Sequence, residues 1–314
     1  MKRILITILL IVFLCSCSVT SPQHLNTEQS HQDIIPGYGG DTAFVGTNNL
    51  QTVDENFLIV EDKNNNIVLP VIKNLYPMGD GGADFNVNQN IKNIVTENAK
   101  KYAAILNIEF NEELWEFDES TAKMQYNTGK GSFITVNPDY ITYWCAAHTL
   151  NIDSDEKDFL SLINTEPHIK AMYEFLKITN PAVKIEKELD EYGALAVTAI
   201  IYQSTKNTAD RILNTEFNSI NIHITENADY YWINCTFNNI EIAESTEYLK
   251  FSDVTDEAKI DTGASYVGYE IKYFSNIKQG YYVPCYVIYN TIENTDNQAS
   301  SSVKQTIVPM YDIK

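Results

Sequence analysis

Apolar residues along this chain recur mostly at every second position, in short runs separated by polar turns, and only two segments carry helical spacing. That imbalance decides the fold class. Alternation with a period of two turns one side of a run toward a core and the other toward water, as antiparallel strands do. "ENFLIVEDKNNNIVLPVIKN" predicts two strands around a polar turn at Asp62 to Asn66. "LWEF", "AKMQY", "SFITV" and "YITYW" predict four more, with Asn127-Thr128-Gly129-Lys130-Gly131 as a hairpin turn. "VKIEKEL", "ALAVTAIIY", "INIHIT" and "YYWINCTF" continue the series. The Tyr-rich segments "YVGYEIKYF", "YYVPCYVIYNTI" and "TIVPMYDI" predict three antiparallel strands at the end of the chain. In "GYYVPCYVIYN" half of the rings are expected on a core. The other half are expected on a solvated face, or on a binding face, since exposed Tyr serves recognition well.

Helical spacing falls at about Val87 to Leu106, where Val87, Ile91, Ile94, Val95, Tyr102, Ala103 and Leu106 share one side. It falls again at about Asp155 to Lys177, with Ile163, Ile169, Met172, Tyr173 and Leu176 as the apolar side. Pro167 is expected to restart this second helix in a first turn, and Asn180-Pro181 to end it. Strands do not alternate with helices, so nothing argues for a parallel sheet. The expectation is an α+β fold with helices packed on antiparallel sheets. Helix followed by meander occurs twice, which suggests two related halves, 50–150 and 151–314. One local echo supports it: "FITVNPDYITYW" resembles "IHITENADYYWI", and Asn137, Asp139 and Tyr140 match Asn227, Asp229 and Tyr230.

The first residues, "MKRILITILLIVFLCSCSVTSP", combine a basic start at Lys2 and Arg3 with an apolar run from Ile4 to Leu14. The run suits a signal peptide and is too short to span a bilayer. Leu14-Cys15-Ser16-Cys17 looks like a lipobox, with Leu at −3, a small residue at −1 and Cys at +1; Cys15 would have the bulky Leu14 before it. The expectation is that residues 1–16 are removed and that Cys17 carries lipid, its acyl chains entering the membrane; two signals or chains are what stable anchoring requires. Residues 17–49 are rich in Ser, Thr, Gln, Asn and Gly and read as a flexible tether. No later run is long enough for a transmembrane helix, so the body is expected to be a soluble domain held outside the cytoplasmic membrane.

A formal net charge of −20 repels phosphate backbones, and no basic stripe offsets it, which excludes nucleic acid as a partner. Cys145, Cys235 and Cys285 are odd in number and give no disulfide framework; buried thiols are expected.

Several short motifs invite a chemical reading. Asp261-Thr262-Gly263-Ala264-Ser265 carries the signature loop of aspartic peptidases. Those enzymes need two carboxylates sharing a proton, and the chain has no second such loop. A turn before a strand is the expected role, with Gly263 supplying the special dihedral. Asp62-x-Asn64-x-Asn66 resembles the start of a calcium loop but has Ile67 where Gly and Lys73 where Glu is required. Asp80 and Asp84 read as a solvated loop. Gly129-Lys130-Gly131-Ser132 lacks the spacing of a phosphate loop. Cys145-x-x-His148 has no second pair to complete a metal site, and His168 and His223 stand alone. No Ser nucleophile elbow occurs. No metal, cofactor or catalytic residue is expected.

The C-terminal third carries a family resemblance. Glu257-Ala258-Lys259, Gly263, Tyr282-Val283-Pro284-Cys285-Tyr286 and Val308-Pro309 resemble the ending of uncharacterised clostridial extracytoplasmic lipoproteins. Those are similar in turn to PepSY-like and YycH/YycI-type domains. The pattern is a short helix, a loop with Gly, a long strand, a Tyr-Val-Pro strand and a final Val-Pro strand, and it covers roughly the last 120 residues. The resemblance implies a non-enzymatic domain that binds peptides or protein partners at the membrane face. The expected function is therefore a membrane-anchored, non-catalytic binding or regulatory module for an envelope protein or peptide. A solute-binding lipoprotein of a transporter is the alternative, and a peptidase built on Asp261 the remote one.

Overall fold

The computed structural model describes residues 44–52, 57, 67, 69–73, 75–76, 89–146, 156–189, 194–226, 228, 230–238, 240–243, 264–276, 281–292 and 302–310. In chain order these form β1 (Phe44–Thr52), β2 (Ile72–Lys73), α1 (Gln89–Ile105), β3 (Trp115–Asp118), β4 (Lys123–Gly129), β5 (Ser132–Val136) and β6 (Tyr140–Cys145). Then come α2 (Glu156–Thr165), α3 (Pro167–Leu176), β7 (Pro181–Leu189), β8 (Leu195–Gln203), α4 (Thr208–Phe217), β9 (Asn218–Thr225) and β10 (Tyr231–Phe237). The series ends with β11 (Glu241–Ile242), β12 (Ala264–Asn276), β13 (Tyr281–Ile292) and β14 (Ser302–Pro309).

The fold is α+β with antiparallel pairing throughout these strands. A large sheet runs β3-β4-β5-β6-β10-β9-β8-β7. A smaller one holds β12, β13, β14, β2 and β11, and β1 joins the two by pairing with β14 on one edge and β7 on the other. One edge of β13 takes the whole of β12; its other edge is shared by β14 from Cys285 onward and by β2 at Tyr281 and Tyr282.

Each sheet follows from its alternation. In β5, β6, β9 and β10 the residues Ile134, Val136, Ile141, Tyr143, Ile220, Ile222, Ile233 and Cys235 point to one side and are buried there. α1 buries Ile91, Val95, Ala99, Tyr102 and Ala103 on that side, and α3 adds Ile169, Ala171 and Met172. The four-residue recurrence along α1 is what makes one helix stripe coincide with one sheet face. α3 opens with Pro167 in the first turn, as expected, and Glu166 caps it by accepting from the His168 N–H at 3.1 Å. It closes earlier than Asn180-Pro181, at Lys177 in the left-handed conformation (φ 56°, ψ 37°), whose N–H returns to Glu174 and Tyr173. Pro181 instead opens β7. The expected hairpin turn stands at Gly129 to Gly131, all three residues at positive φ, and the Asn127 side chain accepts from the Gly129 N–H at 2.8 Å.

β1 begins at Phe44, inside the 17–49 stretch read as a tether, because pairing with β14 and β7 draws it into the sheets. Two further outcomes depart from the sequence reading. α4 lies in a stretch that carries too few apolar residues to declare a helical period. Its signal was the cap: Asn207 accepts from the Asp210 N–H at 3.2 Å. The helix reaches β8, β9 and β12, and its Ile212 and Phe217 join a second core with Tyr269, Ile271, Tyr273 and Tyr286. The other departure concerns β13, which is buried on both faces from Val283 to Asn290 and presents no alternating solvated or binding face over that stretch. The reason was visible: Tyr282 to Tyr289 contains no charged or amide side chain to turn toward water.

Replacing Asn207 by Ala is expected to cost about 1 kcal/mol, because the first turn of α4 loses its side-chain acceptor. Urea unfolding of the two proteins measures it; an unchanged midpoint would mean that packing alone holds α4.

Candidate functional site

The densest chemistry lies where the two sheets meet. β7 carries Lys184 and Glu186 on one side, and β12 carries Glu270 and Lys272. Lys184 Nζ sits 2.5 Å from Glu270 Oε2 and 2.8 Å from Glu186 Oε1; Lys272 Nζ sits 2.8 Å from the same Glu186 oxygen. Lys184 and Glu270 are almost wholly buried. The Phe57 ring centroid lies 4.9 Å from the Lys184 ammonium and 5.0 Å from the Arg211 guanidinium, so two cations share one ring. Burial works against the charge on Glu186, but Lys272 and Lys184 overcome it and hold that carboxyl far below its usual range. Burial likewise works against Lys272, and Glu186, Tyr289 and Glu270 reverse it, leaving the ammonium firmly protonated.

Glu216, on α4, behaves differently. Burial pushes its carboxyl up to about 7, against the pull of Lys272, Lys184 and a hydrogen bond from the Tyr273 N–H. It borders a narrow cleft with Lys184, Arg211, Thr215 and Glu270, whose open space of about 10 Å³ suits a single water molecule. The arrangement can hold or release one proton near neutrality and can lock two sheets together. It has no room for an organic substrate.

A second cleft of similar size joins Ile72, Tyr76, Asp139, Asn238 and Tyr282 at the far end of the small sheet. Burial raises Asp139 to about 6 there. Beside it runs β11, the outermost strand, paired with β2 through Glu241–Lys73 and Ile242–Ile72. Ile242 is 65% exposed and Ile240 40%, two large apolar side chains at one sheet edge, while Tyr281, 37% exposed, lies two strands in and in register with Lys73 and Glu241.

Of the residues singled out from sequence, Cys145 is deep in the first core, and Cys145, Cys235 and Cys285 are buried and unbonded to one another. Burial pushes the thiols of Cys235 and Cys285 up, which keeps them protonated and unreactive. His168 stacks on Tyr143 at 3.4 Å between centroids, lies 3.3 Å from the Tyr102 hydroxyl, and is lowered to about 4 by burial, so it is a neutral core residue. Ser132 accepts from the Ala146 N–H at 3.2 Å behind the hairpin turn. Cys17, His148, Asp261 to Gly263, Asp62, Asn64, Asn66, Asp80, Asp84 and Glu257 to Lys259 lie outside the described residues. Among the described residues no cluster of His, Cys, Asp and Glu could hold a metal.

The sheet junction went unread in the sequence, yet it left a signal. Lys184-Ile185-Glu186 and Glu270-Ile271-Lys272 are charge-complementary triplets inside otherwise apolar strands, and each ion pair spans 86 residues. A charge on alternate positions of a strand normally marks a solvated face; here two such faces were turned on each other. Compared with known proteins, the chain matches no family model, no curated protein and no solved structure.

Replacing Lys184 by Met strands Glu270, leaves Glu186 with Lys272 alone, and is expected to cost about 3–5 kcal/mol, while the double change Lys184→Met with Glu270→Leu recovers most of it. Chemical unfolding of the three proteins decides; equal loss in the single and double variants would mean that packing, not charge, matters here. Glu216 sets a pH dependence. The folded chain keeps a proton on it that the unfolded chain releases between about 4.5 and about 7, so stability falls as pH rises through that window. Glu216→Gln is expected to remove that slope and to gain on the order of 2–3 kcal/mol at pH 8. Thermal unfolding across pH 5 to 8 reads it, and an unaltered slope would reject the assignment.

Proposed function

We propose that this chain is a membrane-anchored lipoprotein acting on the extracytoplasmic face as a non-catalytic binding or regulatory module, with another envelope protein or a peptide as its partner. The reading rests on the edge of the small sheet. β11 is short, its outer side is paired with no strand among the described residues, and Ile240 and Ile242 expose apolar surface at it. An open edge offers main-chain donors and acceptors to an added strand, and alternate side chains beside it supply selectivity. The Lys73–Glu241 ion pair at 3.1 Å borders the same edge and gives a partner one charge of each sign to read. The lipobox-like Leu14-Cys15-Ser16-Cys17 supports attachment through Cys17, and the resemblance of the last third to PepSY-like and YycH/YycI-type domains supports a protein or peptide partner.

Two measurements test the reading. In cells fed a palmitate analogue, the chain is expected to take up label and stay with membranes, and Cys17→Ala to lose both; label on the variant would reject Cys17 as the anchor. Cross-linking in the same cells is expected to capture an envelope protein or peptide with the unaltered chain and roughly tenfold less with Ile242→Asp. Capture that is indifferent to Ile242 would move the docking surface away from β11.

A further inference from the structure

The large sheet has a second face, opposite α1 and α3, and from β5 to β9 it carries two unlike rows. In the first, Phe133, Trp144, Trp232 and His223 stand directly opposite one another on β5, β6, β10 and β9. Their ring centroids are 6.3, 5.6 and 4.8 Å apart and their planes lie within 12°, 12° and 19° of parallel. Tyr230, itself 37% exposed, stacks on Trp144 at 4.9 Å and 17°. Parallel rings touch at about 3.5 Å. A centroid separation of 5.6 Å therefore slides Trp144 and Trp232 past each other by roughly 4 Å. The rings are offset rather than eclipsed, and Tyr230 lies within 17° of parallel to both indoles, 4.9 Å from Trp144 and 6.1 Å from Trp232, as the exposed ring of the row. All four side chains are half-buried. Cross-strand aromatic contact stabilises a sheet by itself, but an inward stack would have served that purpose without wetting two indoles.

The second row lies one step along the strands. Gln125, Thr135, Thr142, Asn234 and Asn221 are again direct cross-strand neighbours, on β4, β5, β6, β10 and β9. Every member is an uncharged hydrogen-bonding side chain. Thr142 donates to Asn234 Oδ1 at 2.8 Å, which leaves the Asn234 amide nitrogen with donor capacity. His223 belongs to the same uncharged surface: Thr198 lies 3.0 Å from its Nδ1, and burial lowers it to about 4. Where both rows reach β7 they end on Glu186 and Lys184, whose charges are already paired.

We propose that this offset aromatic row and its flanking amide and hydroxyl row bind an uncharged oligosaccharide strand. A pyranose ring carries C–H groups on its faces and hydroxyls around its rim. It can rest a face on an open π surface while its rim meets amides and hydroxyls alongside. The two rows supply those two surfaces side by side, on a hydrogen-bonded sheet that needs no ordering to receive a ligand. An apolar protein segment would bury the second row without partners, at a cost for each orphaned group. Charge complementarity narrows the class further. Between β4 and β9 neither row holds a formal charge, the second row ending at the exposed Glu116 opposite Gln125 on β3, and a chain at −20 repels anionic polymers, so an uncharged chain is the ligand that fits both. The four rings cross three strand spacings, roughly 14 Å, which is the length of about two to three pyranose units.

The test uses the full chain in a detergent without a sugar headgroup, titrated with cellohexaose, chitohexaose and maltohexaose. Two of its three Trp residues lie in the row, so intrinsic fluorescence reports occupancy directly and calorimetry gives affinity. At least one hexasaccharide is expected to shift the emission and to bind measurably. Trp232→Ala is expected to weaken that binding roughly tenfold or more. Should that variant unfold, Trp232→Phe and Asn221→Asp keep the sheet and are each expected to weaken binding several-fold. Ile242→Asp, on the other sheet, is expected to leave it unchanged, which separates this site from the edge proposed for a protein partner. No response to any of the three sugars at millimolar concentration overturns the proposal. So does binding that survives in folded Trp232 variants, or quenching of the same indoles by a polylysine peptide but by no sugar.

Discussion

Two lysines and two glutamates, alternating on strands that face each other across two sheets, set where the small sheet sits. Lys184 and Glu186 on β7 meet Glu270 and Lys272 on β12 in a chain of contacts in which one carboxylate serves both ammoniums. Such a group is a poor source of net stability, since removing four charges from water costs as much as their attraction returns. Its contribution is geometric. Any slip of β12 along β7 by two residues would pair like with like or leave a charge unmatched in a buried place, so the register between sheets is held by the penalty on every alternative. With β1 supplying the continuous hydrogen-bonded link, the small sheet is fixed both along the chain and through space.

That placement divides the large sheet. On one side α1 and α3 close a core of aliphatic and aromatic residues around Tyr102, Ile134 and Ile233. On the other side, among the described residues, α4 and β12 lie over the β7–β8 end with α4 reaching β9, and the side chains of the β5, β6 and β10 rows stay half-open. The same cross-strand rows run through both regions. They begin as Phe133 and Thr135, pass through Trp144 and Thr142, and finish as Glu186 and Lys184. One face therefore changes from recognition surface to structural lock within the width of a single sheet.

The two hairpins that echo each other in sequence, β5–β6 and β9–β10, turn out to be neighbours. The second strand of one pairs with the second strand of the other, Trp144 with Trp232 and Thr142 with Asn234. The resemblance between "FITVNPDYITYW" and "IHITENADYYWI" had shown two like hairpins. That they would lie side by side, and so bring two indoles together, needed the pairing.

Local pattern was sufficient for much of this protein. Period-two runs placed the strands, the helical recurrence of Ile91, Val95, Tyr102 and Ala103 placed α1, and Pro167 placed the start of α3, because each depends on residues a few positions apart. The α+β class followed from the same short-range signals. What needed the tertiary structure were relations between distant residues. Whether an alternating polar face meets water, as at Thr142 and Asn234, or another sheet, as at Lys184 and Glu186, depends on which strand lies opposite. Whether Tyr286 and Tyr289 face out or in depends on what covers β13. A strand's own residues state which side is which; only its neighbours decide what each side sees, brought from 86 residues away for Lys184 and Glu270 and from 92 for Thr142 and Asn234.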